Sequence, residues 1–286
     1  MPRRPEISIV GAGRFGSAAA VQLKRVGYRV CEIVSRSGTA STRRARGLAR
    51  RVGASAVQLG QEIRGDVVWI CVPDGSVRAT AVALAKQGRW RGRVALHASG
   101  VLASAELRAL RDAGASVASV HPLMTFVTGS EPSLKDVPFA IEGDARAVRV
   151  ARELVHNLGA KAFPIEARRK GAYHAWGAFS SPLLVSLLVT AEEVARMAGV
   201  PPRAARRRMM PILEQTLRNY ARLGPAASFS GPLVRGDTGT ITRHLEALRA
   251  RPEVRDVYLA LAVSGLRTLP VRNRARLMRM LKKKQK

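Results

Sequence analysis

Residues 7–23 read ISIVGAGRFGSAAAVQL, in which a short apolar run leads into three glycines and then into an alanine-rich segment. The run Ile7–Val10 has the length and composition of a buried strand, and the segment after Gly16 is typical of a helix. In the GxGxxG pattern between them, Gly11 permits a tight turn and Gly13 lets the backbone approach a pyrophosphate. Gly16 lets the helix pack closely on the strand. The stretch therefore predicts a dinucleotide cradle.

The amino end of the predicted helix is suited to phosphate binding. Its free N–H groups and the positive end of the helix dipole attract anions. The alternative, a glycine turn that binds nothing, is disfavoured because a strand precedes the glycines and a helix follows them. The predicted cradle residues are Gly11, Ala12, Gly13, Arg14, Phe15 and Gly16.

The end of the second predicted strand indicates which dinucleotide binds. A site for NAD usually places an acidic residue there, which hydrogen-bonds the ribose 2′-hydroxyl. Glu32 lies inside this strand, where its side chain is not expected to reach the ribose. The guanidinium and hydroxyls that follow suit a 2′-phosphate dianion. We therefore expect NADP(H), although Arg36 can also be only an exposed loop residue; the predicted contacts are Ser35, Arg36 and Ser37.

Three later strand ends are expected to line the nicotinamide half of the site, because ligands of open α/β sheets bind outside the carboxyl ends of the strands. The first two ends supply the remaining predicted cofactor residues, Val72, Pro73, Asp74, Ser99 and Gly100. The third end supplies His121, which we expect to line the substrate site. A histidine before a proline can also serve only to fix a loop by a hydrogen bond.

The first half of the chain alternates short apolar runs with amphipathic segments. Strands are predicted at Ile7–Val10, Arg29–Val34, Val67–Val72, Arg93–His97, Ser116–His121, Pro138–Glu142 and Lys161–Ile165. Strands separated by helices imply right-handed crossovers and a mostly parallel sheet.

Strand signals stop at about Glu166. The remaining pattern predicts helices at Ala167–Ala198, Pro202–Leu223, Thr238–Ala250 and Arg255–Leu269, followed by a basic final helix. We therefore predict an α/β Rossmann-like NADP-binding domain over residues 1–165. An all-α substrate and dimerisation domain with a basic tail is predicted over residues 166–286.

One segment, residues 172–191, carries no formal charge and is long enough to span a bilayer. It also contains a histidine, a proline and serines, and it follows a soluble domain. A helix that is apolar on all sides can equally be the buried centre of a helical domain or of a dimer. We expect burial, no membrane span, and a homodimer whose helical domains interlock.

The composition is that of an ordinary soluble protein, with 47% hydrophobic and 24% charged residues among 286. Cys31 and Cys71 both lie in predicted strands, which indicates core thiols in a reducing cytosol. No secretory signal is expected at the N-terminus, so the predicted location is cytoplasmic. No metal site is predicted.

Positive charge dominates the sequence, with 49 Lys and Arg against 20 Asp and Glu and a net charge of +29. Residues 272–286 carry eight cations and no acid, so 29 minus 8 leaves +21 for the rest. Such a field favours polyanions such as nucleic acid, acidic lipid or phosphorylated ligands. The alternative is a set of solvated arginines, and without a recognisable nucleic-acid module we expect no specific nucleic-acid partner.

Taken in order, the motifs resemble those of a known family. GAGRFG, SRS, VPD, HASG and HPLMTF are followed by KGAYHAW at residues 170–176 and GPLVRGD at residues 231–237. This order resembles the Rossmann-like NADP oxidoreductases that carry a helical C-terminal domain of uncharacterised function. That family is similar to ketopantoate reductases, 3-hydroxyisobutyrate dehydrogenases, pyrroline-5-carboxylate reductases and imine reductases. The resemblance implies a helical domain like the C-terminal domain of 6-phosphogluconate dehydrogenase. The basic tail lies outside the pattern.

The resemblance also implies catalytic residues. In the better-known relatives, a lysine and an asparagine four residues later point at the cofactor. Here that spacing gives Lys170 and His174, which share one helix face. The implied roles are proton donor or substrate orienter for Lys170 and its partner for His174. Surface capping by Lys170 and a core position for His174 are the alternatives.

The segment Gly231–Asp237 breaks the helical pattern and is predicted to be a loop. Asp237 is well placed to cap the helix that follows. The functional alternative has Arg235 or Thr240 facing a substrate carboxylate. The full set of predicted substrate residues is His121, Ser181, Arg235, Asp237 and Thr240.

These inferences predict an NADPH-dependent reductase of a small carbonyl or imine compound. By analogy with the family, the leading substrate is a 2-oxo acid such as ketopantoate. One alternative is a non-catalytic NADP-binding protein whose basic surface binds nucleic acid or acidic lipid. A deazaflavin-dependent NADP reductase is another.

Overall fold

Eight strands form one sheet in the part of the chain that the structure, a computed structural model, describes: residues 3–128 and 132–285. The strands are β1 (Ile7–Val10), β2 (Val30–Ser35), β3 (Ser55–Gln58), β4 (Val67–Ile70), β5 (Val94–His97), β6 (Ser116–Pro122), β7 (Pro138–Gly143) and β8 (Lys161–Pro164). Their order is β3-β2-β1-β4-β5-β6-β7-β8. Only the β6–β7 pair is antiparallel among these neighbours.

Helices cover both faces of this sheet. They are α1 (Arg14–Arg25), α2 (Thr39–Val52), α3 (Asp74–Ala85), α4 (Arg108–Asp112) and α5 (Ala145–Asn157). The alternation along β4 shows the two faces, because Val67 and Trp69 belong to one apolar cluster and Val68 and Ile70 to the other. Strands buried on both faces read as continuous apolar runs, which is the pattern of parallel sheets. The predicted mostly parallel sheet is confirmed.

Strand β3 was not predicted from the sequence. Ser55–Gln58 pairs only with β2 at the edge of the sheet, and most of its side chains are exposed. An edge strand without a buried face needs no apolar run, so hydrophobic periodicity does not reveal it.

The second half is helical, as predicted. Its helices are α6 (Lys170–Ser180), α7 (Pro182–Met197), α8 (Pro202–Ser228), α9 (Pro232–Arg235), α10 (Thr238–Ala247), α11 (Pro252–Thr268) and α12 (Arg274–Gln285). Helix α8 is interrupted at Gly224, where φ is +75° and a proline follows. The short helix α9 lies in the segment predicted to be a loop.

The chain divides into two compact units, residues 1–181 and 182–286. The last strand ends at Pro164, where strand signals stop in the sequence. Helix α6 nevertheless belongs to the first unit, since its Lys170 and Tyr173 are buried there. The division therefore lies after α6, whereas the domain boundary was expected before it, between residues 165 and 166.

Most of the long uncharged stretch is exposed in the single chain, so it is not the buried centre of the helical domain, which was one of the two positions expected for it. It forms two helices, α6 and α7, and no residue of α7 is buried. Helix α7 packs only against α8 and α11 among the described elements with substantial contact, which leaves its other sides open. By length and composition alone, residues 167–197 pass as a candidate membrane span. Burial in a dimer stays a prediction.

The basic tail forms the amphipathic helix α12. Leu277 and Leu281 are fully buried in the apolar cluster of the second unit. The cationic side chains Arg276, Arg279 and Lys282 are exposed on the other side. The tail is thus part of the second unit's packing.

Candidate functional site

The turn between β1 and α1 has the geometry of a dinucleotide cradle. Gly11 has φ of +103°, and a Cβ there would lie 2.6 Å from the carbonyl oxygen of Cys71. A Cβ at Gly16 would collide with the carbonyl oxygen of Gly11. No side chain larger than hydrogen fits at either position. The observed conformation therefore requires glycine at positions 11 and 16 of the motif.

The amino end of α1 is left open for an anion. The helix begins at Arg14, directly after Gly13, and no side chain caps its first turn. No acidic residue lies in that turn. Uncapped N–H groups and the helix dipole are the features that bind a pyrophosphate. Of the other cradle residues predicted from the sequence, Ala12 precedes the helix and Phe15 lies in its first turn.

The end of β2 carries the residues expected to select NADP(H). Ser35 is the buried last residue of the strand, and Arg36 and Ser37 are exposed before α2. Glu32 is turned away from this end, because it is buried and accepts hydrogen bonds from Ser8 Oγ (2.7 Å) and from the backbone and Nε of Arg64 (2.8 and 3.0 Å). The hydrogen bonds to Ser8 and Arg64 lower the pKa of Glu32 despite the opposing effect of burial.

The carboxyl ends of β4, β5 and β6 lie at the same sheet edge as the cradle. Val72 and Pro73 connect β4 to α3, and Asp74 is the first residue of that helix. In β5, His97 lies in register with Ser119 of β6. The predicted strand ends are thus neighbours in the sheet.

His97 fixes the loop that follows β5. Its Nε2 lies 3.1 Å from the carbonyl oxygen of Ala103, and its Nδ1 accepts the backbone N–H of Ser99 at 3.2 Å. Because a carbonyl only accepts, the proton of the ring is on Nε2. Burial lowers the pKa of His97 to about 4. Both ring nitrogens are hydrogen-bonded to the backbone of this loop, so His97 has a structural role in holding its conformation.

Lys170, the first residue of α6, is fully buried. Its Nζ donates to Ser119 Oγ at 2.6 Å and to the carbonyl oxygen of Ser99 at 3.2 Å. Ser119 also donates to the same carbonyl at 3.3 Å, which closes a small polar ring. Burial lowers the pKa of Lys170 to about 8, against the opposing effects of Glu142 and Asp74. The side chain does not cap the surface, which the sequence left open as an alternative.

His121 is held by a residue that sequence reasoning missed. Tyr173 Oη lies 2.8 Å from His121 Nδ1, and the rings meet edge to face at 5.4 Å. Tyr173 is buried, and burial raises its pKa to about 12. Burial, with the charges of Lys170, His174 and His97, lowers the pKa of His121 to about 3. Both side chains are therefore neutral near pH 7.

His174 stands beside His121 at the surface of the first unit. The two rings lie 6.1 Å apart, and His174 is exposed. Gly100 makes room for both, since a Cβ there would lie 2.5 Å from His174 Cδ2 and 2.8 Å from His121 Nε2. The predicted residues Ser99, Gly100, His121, Lys170 and His174 thus converge at one place.

The other predicted substrate residues lie elsewhere in the chain. Ser181 follows α6 at the end of the first unit, and Arg235 ends α9 in the second. Asp237 caps α10, as predicted: its carboxylate accepts the backbone N–H of Thr240 at 3.0 Å and the Thr240 hydroxyl at 2.7 Å. The polar groups of this pair satisfy each other.

The sequence held signals for the missed residues. Ser119 precedes His121 by two positions on one strand, so both side chains point to the same face of the sheet. Tyr173 follows Lys170 by three positions, which places both on neighbouring parts of one helix face. Each missed residue thus has the spacing, two positions on a strand or three on a helix, that places it next to a residue already predicted for the site.

Two family models match the chain. Residues 1–122 match the Rossmann-like domain, and residues 137–264 match a domain of unknown function, DUF2520. The combination confirms the resemblance drawn from the motifs. No curated protein matches the sequence significantly.

Solved structures of the same fold cover nearly the whole chain. A Bacteroides fragilis protein described as a candidate NADP oxidoreductase has a TM-score of 0.75 and 20% identity, over 91% of this chain and 97% of that one. A Thermotoga maritima protein has a TM-score of 0.69 and 23% identity, over 98% and 99%. An imine reductase from a Pseudomonas species has a TM-score of 0.62 and 17% identity, over 92% and 94%. At these identities the similarity shows the fold.

Proposed function

We propose that this chain, in which a Rossmann-like domain is followed by a DUF2520 domain, is an NADPH-dependent reductase of a small carbonyl or imine compound. One observation carries the proposal. The buried ammonium of Lys170 and the imidazoles of His121 and His174 lie at the sheet edge that also bears the glycine cradle. The names of the structural neighbours, which include an imine reductase, agree with it.

Each residue has a distinct part in the proposed reaction. When bound, a reduced nicotinamide supplies the hydride. His174 is the proton donor to the developing alkoxide or amine, because its ring is exposed beside Gly100. Lys170 is fully buried and hydrogen-bonded, so its charge stabilises negative charge in the site and fixes the ends of β5 and β6. A 2-oxo acid is the leading substrate, by analogy only.

The preference for NADPH depends on Arg36. Its guanidinium is exposed where a 2′-phosphate is expected, and Glu32, the acidic residue within β2, is hydrogen-bonded to Ser8 and Arg64. A charge-assisted hydrogen bond to a phosphate contributes about 1.5–3 kcal/mol, which is about tenfold or more in affinity.

Titration with NADPH and NADH, followed by energy transfer from tryptophan to nicotinamide, tests the proposal. Arg36→Ala is expected to weaken NADPH binding about tenfold or more and to leave NADH binding nearly unchanged. Arg50→Ala, an exposed change in the last turn of α2, is the matched control. If neither nucleotide binds, the reductase proposal fails; if both variants behave alike, the assignment of Arg36 fails.

We also propose a homodimer that covers the apolar face of α7. Leu183, Val185 and Val189 are about half exposed there, and Ile212 of α8 is 68% exposed. Exposed apolar side chains on neighbouring helices are typical of interaction surfaces. The occupant that we propose is a second copy of the chain.

A further inference from the structure

We propose that Tyr173 is a positioning residue that keeps the proton of His121 on Nε2, and that this N–H is the hydrogen-bond donor to the substrate's carbonyl oxygen. The inference rests on the proposed reductase function for its chemical meaning. It adds a role for Tyr173 and makes His121 a catalytic residue distinct from the proton donor His174.

The two contacts of the tyrosine hydroxyl decide where its proton lies. Tyr173 Oη is 2.8 Å from His121 Nδ1 and 3.4 Å from the carbonyl oxygen of His121. An O–H donor normally lies about 2.5–3.0 Å from an oxygen acceptor, so the longer contact is a poor bond. We therefore assign the single hydroxyl proton to the shorter contact, with Nδ1 as its acceptor. Nδ1 is then an acceptor, and the neutral ring carries its own proton on Nε2.

The surroundings keep the ring neutral. Cationic or titratable neighbours face His121 from two elements: Lys170 and His174 on α6, and His97 on β5. Within residues 3–128 and 132–285, no carboxylate forms a hydrogen bond or ion pair with it. The acids Glu142 and Asp74 act on Lys170, where they oppose the effect of burial on its pKa. A neutral imidazole donates from only one nitrogen, so the choice of tautomer matters here.

The other ring nitrogen of His121, Nε2, lies beside Gly100, where we propose that the substrate binds. In the described chain Nε2 of His121 has no hydrogen-bond partner, and it faces Gly100. The missing side chain of Gly100 leaves room for the rings of His121 and His174 beside its backbone. His97 offers the contrast, since Ala103 and Ser99 occupy both of its nitrogens. Of these two imidazoles, His121 is therefore the one with a ring nitrogen that can still donate a hydrogen bond.

The chemistry follows from this arrangement. A fixed N–H donor becomes more stabilising as negative charge develops on the carbonyl oxygen, because it is already oriented. The hydrogen bond from Tyr173 makes Nε2–H point at the site without ionising the ring. Loss of such a donor typically lowers kcat about 100-fold or more.

Nuclear magnetic resonance of ring-¹⁵N histidine tests the inference directly, because the chain has only five histidines. In the unmodified protein, His121 is expected to show an unprotonated Nδ1 and a protonated Nε2 from about pH 5 to about pH 9. In Tyr173→Phe, the ring is expected to become a mixture of tautomers. His121→Gln assigns the signal.

The chain provides a matched control in its second unit. Tyr258 Oη lies 3.2 Å from His244 Nδ1, with ring centroids 5.9 Å apart. Tyr258→Phe is therefore expected to change the His244 signal and leave His121 unchanged. A His121 ring protonated on Nδ1, a ring that titrates near pH 6.5, or an unchanged His121 spectrum in Tyr173→Phe overturns the inference.

These readouts need no substrate, so they separate the inference from the proposed function. If NADPH fails to bind while His121 keeps the expected tautomer, the reductase proposal fails and the positioning role of Tyr173 stands. Where 2-oxo acid reduction is measured, Tyr173→Phe is expected to lower kcat more than it raises KM. Equal loss of folding and activity, with the tautomer unaltered, refutes the positioning role.

Discussion

The buried charge of Lys170 predicts how the stability of the first unit depends on pH. The folded chain releases this proton at a pKa of about 8, whereas an unfolded chain holds it to the ordinary value of 10.5. Between these values the unfolded state binds more protons at this site, so the contribution of Lys170 to the stability of the folded state rises with pH. Lys170→Met is expected to abolish this rise.

The size of the effect follows from the two pKa values. The full shift corresponds to about 3 kcal/mol of unfavourable charge burial below pH 8. Between about pH 7 and about pH 9.5, this unfavourable contribution to the free energy of unfolding of the wild type falls by about 2 kcal/mol. Burial also raises the pKa of Cys31 and Cys71, which acts in the opposite direction within this range, as the raised pKa of Tyr173 does above pH 10. These effects are common to the wild type and Lys170→Met, so the difference between the two proteins isolates Lys170.

Urea unfolding followed by tryptophan fluorescence measures this difference. All three tryptophans, Trp69, Trp90 and Trp176, lie in the first unit, so the signal reports that unit alone. The free energy of unfolding is compared between the wild type and Lys170→Met at each pH. The variant also loses two hydrogen bonds, so the change with pH carries the test rather than the value at one pH.

Lys86→Met is the matched control, because Lys86 is exposed at the end of α3. It should follow the wild type at every pH. A constant difference between the wild type and Lys170→Met from pH 7 to pH 9.5 would refute the reasoning. A wild type that loses stability relative to Lys170→Met as the pH rises would refute it as well.

Two further predictions concern the cradle and the apolar helix. Gly16→Ala should abolish nucleotide binding, because its Cβ would collide with the carbonyl of Gly11; Gly47→Ala, which has open space around it, should bind normally in the same titration. Val185→Glu should convert a dimer to a monomer in sedimentation velocity, whereas Glu214→Gln in α8 should leave the dimer intact; a wild-type monomer at all concentrations would exclude the proposed dimer.

The sheet and the cradle could be predicted from sequence because their signals are local. Ile7–Val10 and its glycines lie within ten residues of each other, and only glycine tolerates the φ of Gly11. Buried central strands such as β4 can also be recognised in the sequence as apolar runs. The exposed edge strand β3 carries no such run, which is why periodicity missed it.

The detailed pairing in the site could not be predicted, because it depends on contacts between residues far apart in sequence. Lys170 and His174 share a helix face, so the spacing suggested that they act together. The structure instead bonds Lys170 to Ser119, 51 positions earlier, and leaves His174 beside Gly100. Helical spacing gives the face on which a side chain lies, but the neighbouring strands decide its partner.

In the proposed reaction, Lys170 and His121 act from fixed positions, because each is held by a different partner, Ser119 or Tyr173. Lys170 and His121 both have lowered pKa values, and each already has a hydrogen-bond partner inside the unit. Because the positive charge of Lys170 is buried, an anion or a developing alkoxide that enters the site is stabilised by it. A cationic iminium would add repulsion from Lys170 instead. We therefore propose an oxo substrate in preference to an imine for the proposed reductase.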